Sequence, residues 1–299
     1  MIRKRFFLLV SLFTLALLAG AQASEPSKDA LQSQLANSYG KWRTAMVNKD
    51  ARAWSAATAE HRKLSIKNRI NSERRSFPDS VFHLPAAPPS LKNLQSLRAH
   101  QSGRTATGVY FGKVDFGVGG VPADNILLLH FVFEKTGWKY DTADFISLAA
   151  LPKVRVQLKS GDYSYVDQRD FLPSGRVPQM PFAVGPAKYI AKVYVFCPGR
   201  EVRVKVNKIS DHRFQDTKAA EVVIGGGLSG INEVQFSTKS LEGSTGKEAL
   251  SVRVYLMSTT AGVKPLKVYE YQVKEGGAVK PFGGENFVID ASVEKKLKM

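Results

Sequence analysis

Asn125-Ile126-Leu127-Leu128-Leu129-His130-Phe131-Val132-Phe133-Glu134-Lys135-Thr136-Gly137-Trp138-Lys139-Tyr140-Asp141-Thr142 is an apolar run, a polar turn closed by a glycine, and a second apolar run. β-branched and aromatic residues on either side of a short turn with glycine predict two antiparallel strands joined as a hairpin. Upstream, Val109, Phe111 and Lys113 alternate with Tyr110, Gly112, Val114 and Phe116, which predicts another strand, with the turn over 117–124 between them. A meander of antiparallel strands follows.

Before the meander the period changes. Leu31, Leu35, Tyr39, Trp42 and Met46 recur at steps of three and four, the spacing of one face of an amphipathic helix. Asn48-Lys49-Asp50 breaks it. Ala51, Trp54 and Ala57 start a second helix, expected to continue into the basic stretch from His61 to Arg75, and the proline-rich stretch 77–89 reads as a loop. Helices first and a meander after describe an α+β unit, helices packed on a curved antiparallel sheet, over 31–151.

The Tyr39, Trp42, Asp50 and Trp54 helix pair, with the hairpin from Phe131 to Tyr140, resembles the nuclear-transport-factor-2-like superfamily over about residues 31–148. That resemblance implies an α+β cone, a curved sheet wrapped around N-terminal helices. It implies a space between sheet and helices where members hold ligands, and where their enzymes place an Asp, His or Tyr for proton transfer. The superfamily spans enzymes, carriers and interaction modules, so the likeness speaks mainly to fold.

Beyond Val154 the pattern is strand only. Segments 154–158, 189–196, 201–206, 221–224, 231–236, 250–257 and 266–273 are each short and apolar, and turns rich in Gly, Pro, Ser and Asn separate them. About seven such strands predict an all-β antiparallel sandwich over 187–290, reached through a connecting strand and linker at 152–186 and followed by a basic tail at 291–299. The second half is not otherwise recognised.

The chain opens with Arg3, Lys4 and Arg5, runs apolar from Phe6 to Ala19, and then shows Ala21-Gln22-Ala23. A charged start, an apolar stretch too short to span a bilayer and an A-x-A site predict a signal peptide at 1–23, cleavage before Ser24 and a periplasmic or extracellular protein. No later segment is apolar enough to span a membrane. Cys197 is the single cysteine, so an exported chain of this kind rests on packing rather than internal disulfides.

Lys and Arg number 43 against 26 acidic residues; loss of the three leader cations takes the formal net charge from +17 to +14. For an exported chain, that excess suits anionic glycans, lipid head groups or acidic proteins rather than nucleic acid. The densest positive stretch carries Arg62, Lys63, Lys67, Arg69, Arg74 and Arg75 against one Glu. If helical, it anchors through Leu64 and Ile70 and offers its cations to anions.

No sequence element demands a cofactor or metal. Gly225-Gly226-Gly227-Leu228-Ser229-Gly230 spells a dinucleotide fingerprint, but the next residues alternate like a strand where that site needs a helix. A turn accounts for it. Gly243-Ser244-Thr245-Gly246-Lys247-Glu248 is too short for a phosphate loop, and Glu248 stands in place of Ser or Thr. The five histidines show no ligand spacing, no G-x-S-x-G elbow is present, and Cys197 has no histidine near it in sequence.

His130 shares a strand face with Ile126, Leu128 and Val132, and Asp115, Asp141 and Tyr110 lie on nearby strands. These four are the pocket candidates for a lyase or isomerase. Without a catalytic motif, the favoured expectation is a non-enzymatic, exported binding or envelope-interaction protein.

Overall fold

The computed structural model describes residues 28–114 and 122–298. The expected leader, its cleavage site and Asp115 lie outside those residues. Helix α1 (Lys28–Asn48) buries Leu31, Leu35, Tyr39 and Met46, the stripe expected from their spacing. Asp50 accepts the backbone N–H of Ala53 at 2.9 Å and so caps α2 (Ala51–Ala57).

The single helix expected from Ala51 into the basic stretch is two. Thr58 and Ala59 are extended; Thr58 bridges to Tyr140, and the Ala59 N–H donates to the Tyr140 carbonyl at 2.8 Å. Two residues that pair with a sheet edge cannot continue a helix, so α3 (Glu60–Ser72) starts afresh.

Strands β1 (Gln95–Ser102), β2 (Thr105–Val114), β3 (Ala123–Glu134) and β4 (Gly137–Ser147) form an antiparallel meander in chain order. Leu127, Leu129 and Phe131 of β3 join Tyr110 and Tyr140 against Leu31, Leu35 and Tyr39 of α1. Ile126 and Leu128 face the other way, with Val109 and Phe111, against Leu148, Leu158, Val166 and Phe171. Both faces of β3 are therefore covered, which is why its sequence is continuously apolar where a half-exposed strand would alternate.

The second cover corrects an expectation. Residues 154–158 form no strand; they lie in helix α4 (Pro152–Lys159), with Pro152 in the first turn. Val154-Arg155-Val156-Gln157-Leu158 alternates, but Val154 and Leu158 also stand four apart, on one helical face. The structure uses that face: Leu158 is fully buried and Val156 is 64% exposed.

The remainder is β structure. Strands β5 (Ile190–Phe196), β6 (Arg200–Val206), β7 (Ser210–Gln215), β8 (Lys218–Val222), β9 (Gly230–Ser240), β10 (Leu250–Met257), β11 (Leu266–Val273) and β12 (Phe282–Ile289) make two antiparallel sheets, ordered β11-β10-β5-β8 and β12-β9-β6-β7. Val193 of β5, Val252 of β10, Val204 of β6 and Val234 of β9 belong to one buried cluster drawn from both sheets.

Strands β7 and β12 were not expected from the sequence. The inward positions of β7 include Ser210 and His212, and β12 carries Gly283-Gly284. Neither has the apolar alternation that marks its neighbours. The expected basic tail is instead helix α5 (Ala291–Leu297), capped by Asp290, with Leu297 buried in the same cluster as the strands. The glycines 225–230 form a turn leading into β9, with Gly225, Gly226 and Gly230 at positive φ.

The two parts are tied together. The Asn68 side chain donates to the Phe182 carbonyl at 2.7 Å and accepts from the Val184 N–H at 3.0 Å, as a neighbouring strand would. Asn71 donates to the Val184 carbonyl at 2.8 Å, and Ser72 accepts the Gly225 N–H at 2.9 Å.

Candidate functional site

A cavity of about 390 Å³ opens between α1, α2, α3, the 3₁₀ turn Asp79–Phe82 and the bend of β4. Trp42 and Met46 of α1, Trp54 of α2, and Ile66 and Ile70 of α3 supply apolar walls. Helical spacing brings Arg62, Ile66, Arg69 and Ile70 onto this side of α3, which alternates charge with apolar surface. Its volume lies within the range of small-molecule sites.

Charge at the cavity is unevenly matched. Glu73 meets both Arg69, at 3.4 Å, and Arg75, at 3.2 Å, and a second Arg75 nitrogen lies 3.2 Å from Nδ1 of His83. Asp141 is taken by His61, whose Nε2 lies 2.9 Å from its Oδ1. Among the described residues, Arg62 has no ion-pair partner. Trp54, 2% exposed, has an indole N–H without a hydrogen-bond acceptor among those residues. A guanidinium left over at a recess with apolar walls is what a ligand carboxylate or phosphate would satisfy. Burial raises the Tyr140 hydroxyl pKa far above its ordinary value, with the Arg62 charge opposing, so this wall is a neutral phenol.

The six cations of the basic stretch do not share one surface. Arg62, Arg69 and Arg75 reach the cavity; Lys63 and Lys67 turn to a different recess beside Phe77 and Met180, and Arg74 donates to the Lys188 carbonyl at 3.4 Å. Buried His61, Asn68, Asn71 and Ser72 also interrupt the stretch, so its cations are not offered from one continuous face.

Nor do the three described pocket candidates, His130, Tyr110 and Asp141, converge. His130 bonds Asp144 at 2.8 Å, and its cross-strand neighbour Thr107 bonds the Phe171 carbonyl, which puts both on the α4 side of the sheet. Tyr110 lies on the α1 side with its pKa pushed up to about 12 by burial, and Asp141 bonds His61 instead. A bulge separates these fates: His130 pairs with Thr142 and Phe131 with Tyr140, so Asp141 is passed over in the register. Bulges re-aim side chains in this way. His61 was missed as its partner because nothing local in the sequence ties α3 to β4.

One arrangement imitates a catalytic triad. Ser210 Oγ lies 2.6 Å from His212 Nε2, and His212 Nδ1 lies 2.7 Å from Glu221. Ser210 is fully buried and its oxygen accepts the Ile224 N–H at 2.8 Å, so no substrate carbonyl can approach it. The array joins β7 to β8 and to the turn after it. Among the described residues, no three or more His, Cys, Asp or Glu side chains are grouped to hold a metal. No family model, curated protein or solved structure matches the chain.

Proposed function

We propose that this is an exported, two-domain binding protein, a cone like those of the nuclear-transport-factor-2-like superfamily followed by a β-sandwich, whose cone holds a small anionic amphiphile. One observation carries the reading: Arg62, without an ion-pair partner among the described residues, stands at a recess of about 390 Å³ with apolar walls. The apolar walls accept a hydrocarbon or aromatic body, and Arg62 accepts the charge. The basic composition supports an anionic ligand class.

The test uses a fluorescent fatty acid and its neutral alcohol as probes. The acid binds more tightly than the alcohol, Arg62→Gln removes that preference, and Lys67→Gln, on the other side of α3, leaves it in place. Equal affinity for the two probes in the unsubstituted protein overturns the reading.

The lyase or isomerase alternative is favoured by one observation, the His61–Asp141 contact beside the cavity. In that reading His61 and Asp141, rather than His130, form the proton-transfer pair. Solvent-deuterium exchange into weak carbon acids, abolished by Asp141→Asn, would support it; no exchange leaves the binding function.

A further inference from the structure

Three apolar side chains stand out of the segment that joins the two parts: Val177 is 37% exposed, Met180 58% and Phe182 81%. The segment is held at both ends. Gly175 donates its N–H to Thr105 Oγ1 at 2.9 Å, and the Asn68 amide grips Phe182 and Val184. Between these anchors the chain forms neither helix nor strand, a strap that leaves Val177, Met180 and Phe182 exposed.

Cations surround it. Val177 and Met180 line a recess of about 880 Å³ with Arg52, Arg104 and Lys135; Met180 also lines a second, of about 470 Å³, with Lys67 and Phe77. The ammonium of Lys67 lies 5.6 Å from the centre of the Phe77 ring. Two carboxylates stand among these cations: Glu60, paired with Lys63 at 2.6 Å, and Glu134, which accepts the Glu60 N–H at 2.8 Å and keeps its charge. The surface around the strap therefore combines exposed apolar side chains with an excess of cations.

We propose that this strap docks the protein on an anionic lipid surface, with Phe182, Met180 and Val177 entering the headgroup layer and Arg52, Lys67, Arg104 and Lys135 lying against lipid phosphates. A bilayer interface accepts protruding apolar side chains without a matching shape, and it rewards basic residues beside them. A folded protein partner would need a pocket cut to Phe182 and Met180. The strap is separate from the Arg62 cavity, so either can fail without the other.

The test is co-sedimentation of the full chain with vesicles of phosphatidylcholine, alone or mixed with phosphatidylglycerol. Binding is expected to the mixed vesicles and to weaken with salt. Phe182→Ala with Met180→Ala should lower the affinity about tenfold, as expected for losing buried apolar surface. Lys67→Glu with Arg104→Glu should lower it similarly. Phe282→Ala is the control, since Phe282 is 75% exposed on β12 and outside the strap. Arg62→Gln should leave vesicle binding intact. Circular dichroism verifies that each variant is folded. Equal binding to neutral vesicles, indifference to the Phe182 and Met180 changes, or an equal loss from Phe282→Ala overturns the proposal. So does strap-dependent capture of a soluble protein without any vesicle binding.

Discussion

The Nε2 of His61, at the start of α3, lies 2.9 Å from the Oδ1 of Asp141, the residue that a bulge leaves out of the β3–β4 register. Both side chains are largely shielded, at 9% and 14% exposure, so each is the other's main polar partner. The pair fastens α3 to the sheet where the Ala59–Tyr140 backbone contact already brings them together. Removing one partner strands the other away from water. Asp141→Ala should therefore destabilise the protein by about 1–3 kcal/mol. Urea unfolding measures this, and a change below a few tenths of a kcal/mol would show the contact to be solvated.

Asn68 plays the part of a missing strand for the strap, with one bond given and one taken. Asn68→Ala removes both and leaves two backbone groups without those partners, at a cost of about 1–3 kcal/mol. The strap should also loosen, so trypsin should cut after exposed Arg176 faster in the variant. Unchanged cleavage at that bond would mean that the Asn71 contacts with Val184 and Ala187 hold the segment alone.

Gly226 explains part of the glycine-rich turn. Its φ is +68°, and a Cβ there would come within 2.3 Å of the Tyr189 carbonyl oxygen. Gly226→Ala should cost about 2 kcal/mol or more, because backbone must move. Gly243, also at positive φ but with open space around it, should cost less when replaced by Ala. Thermal melts of the two variants give the comparison, and equal losses would remove the steric explanation.

Cys197 is fully buried, and burial raises its thiol pKa. It should be silent to thiol reagents in the folded protein and react fully in denaturant. Rapid labelling of the native chain would contradict this.

Alkaline pH should weaken the first part of the fold. Burial pushes Tyr110 from its ordinary value of 10.0 up to about 12, and Tyr39 and Tyr140 move in the same direction. A raised pKa in the folded state means that the neutral phenol is favoured there. Its contribution is complete below pH 10 and is lost as the pH climbs from about 10 to about 12. Urea midpoints followed with tyrosinate absorbance should fall over that window. A midpoint that holds steady to pH 12 would refute the assignment.

Local order was legible in the sequence. The spacing of Leu31, Leu35, Tyr39 and Met46 specified α1, the run from Asn125 to Thr142 specified the β3–β4 hairpin, and alternation specified β5, β6, β9, β10 and β11. Periodicity reports which side of one element is apolar, and it is encoded within a few residues. Where two periods fit the same residues, as at Val154 to Leu158, the packing of Leu158 beneath the sheet chose helix.

The site lay beyond that range. His130 shares its strand with apolar neighbours on either face, and only the two covers of the sheet determine that it meets Asp144 on the side away from α1. A single bulge turns Asp141 to His61, and the extended pair Thr58-Ala59 directs Arg62 into the cavity while Lys63 and Lys67 face elsewhere. Such pairings join residues far apart in the chain. They depend on register, on helix rotation and on which element closes over which face, and these arise only when the whole chain packs.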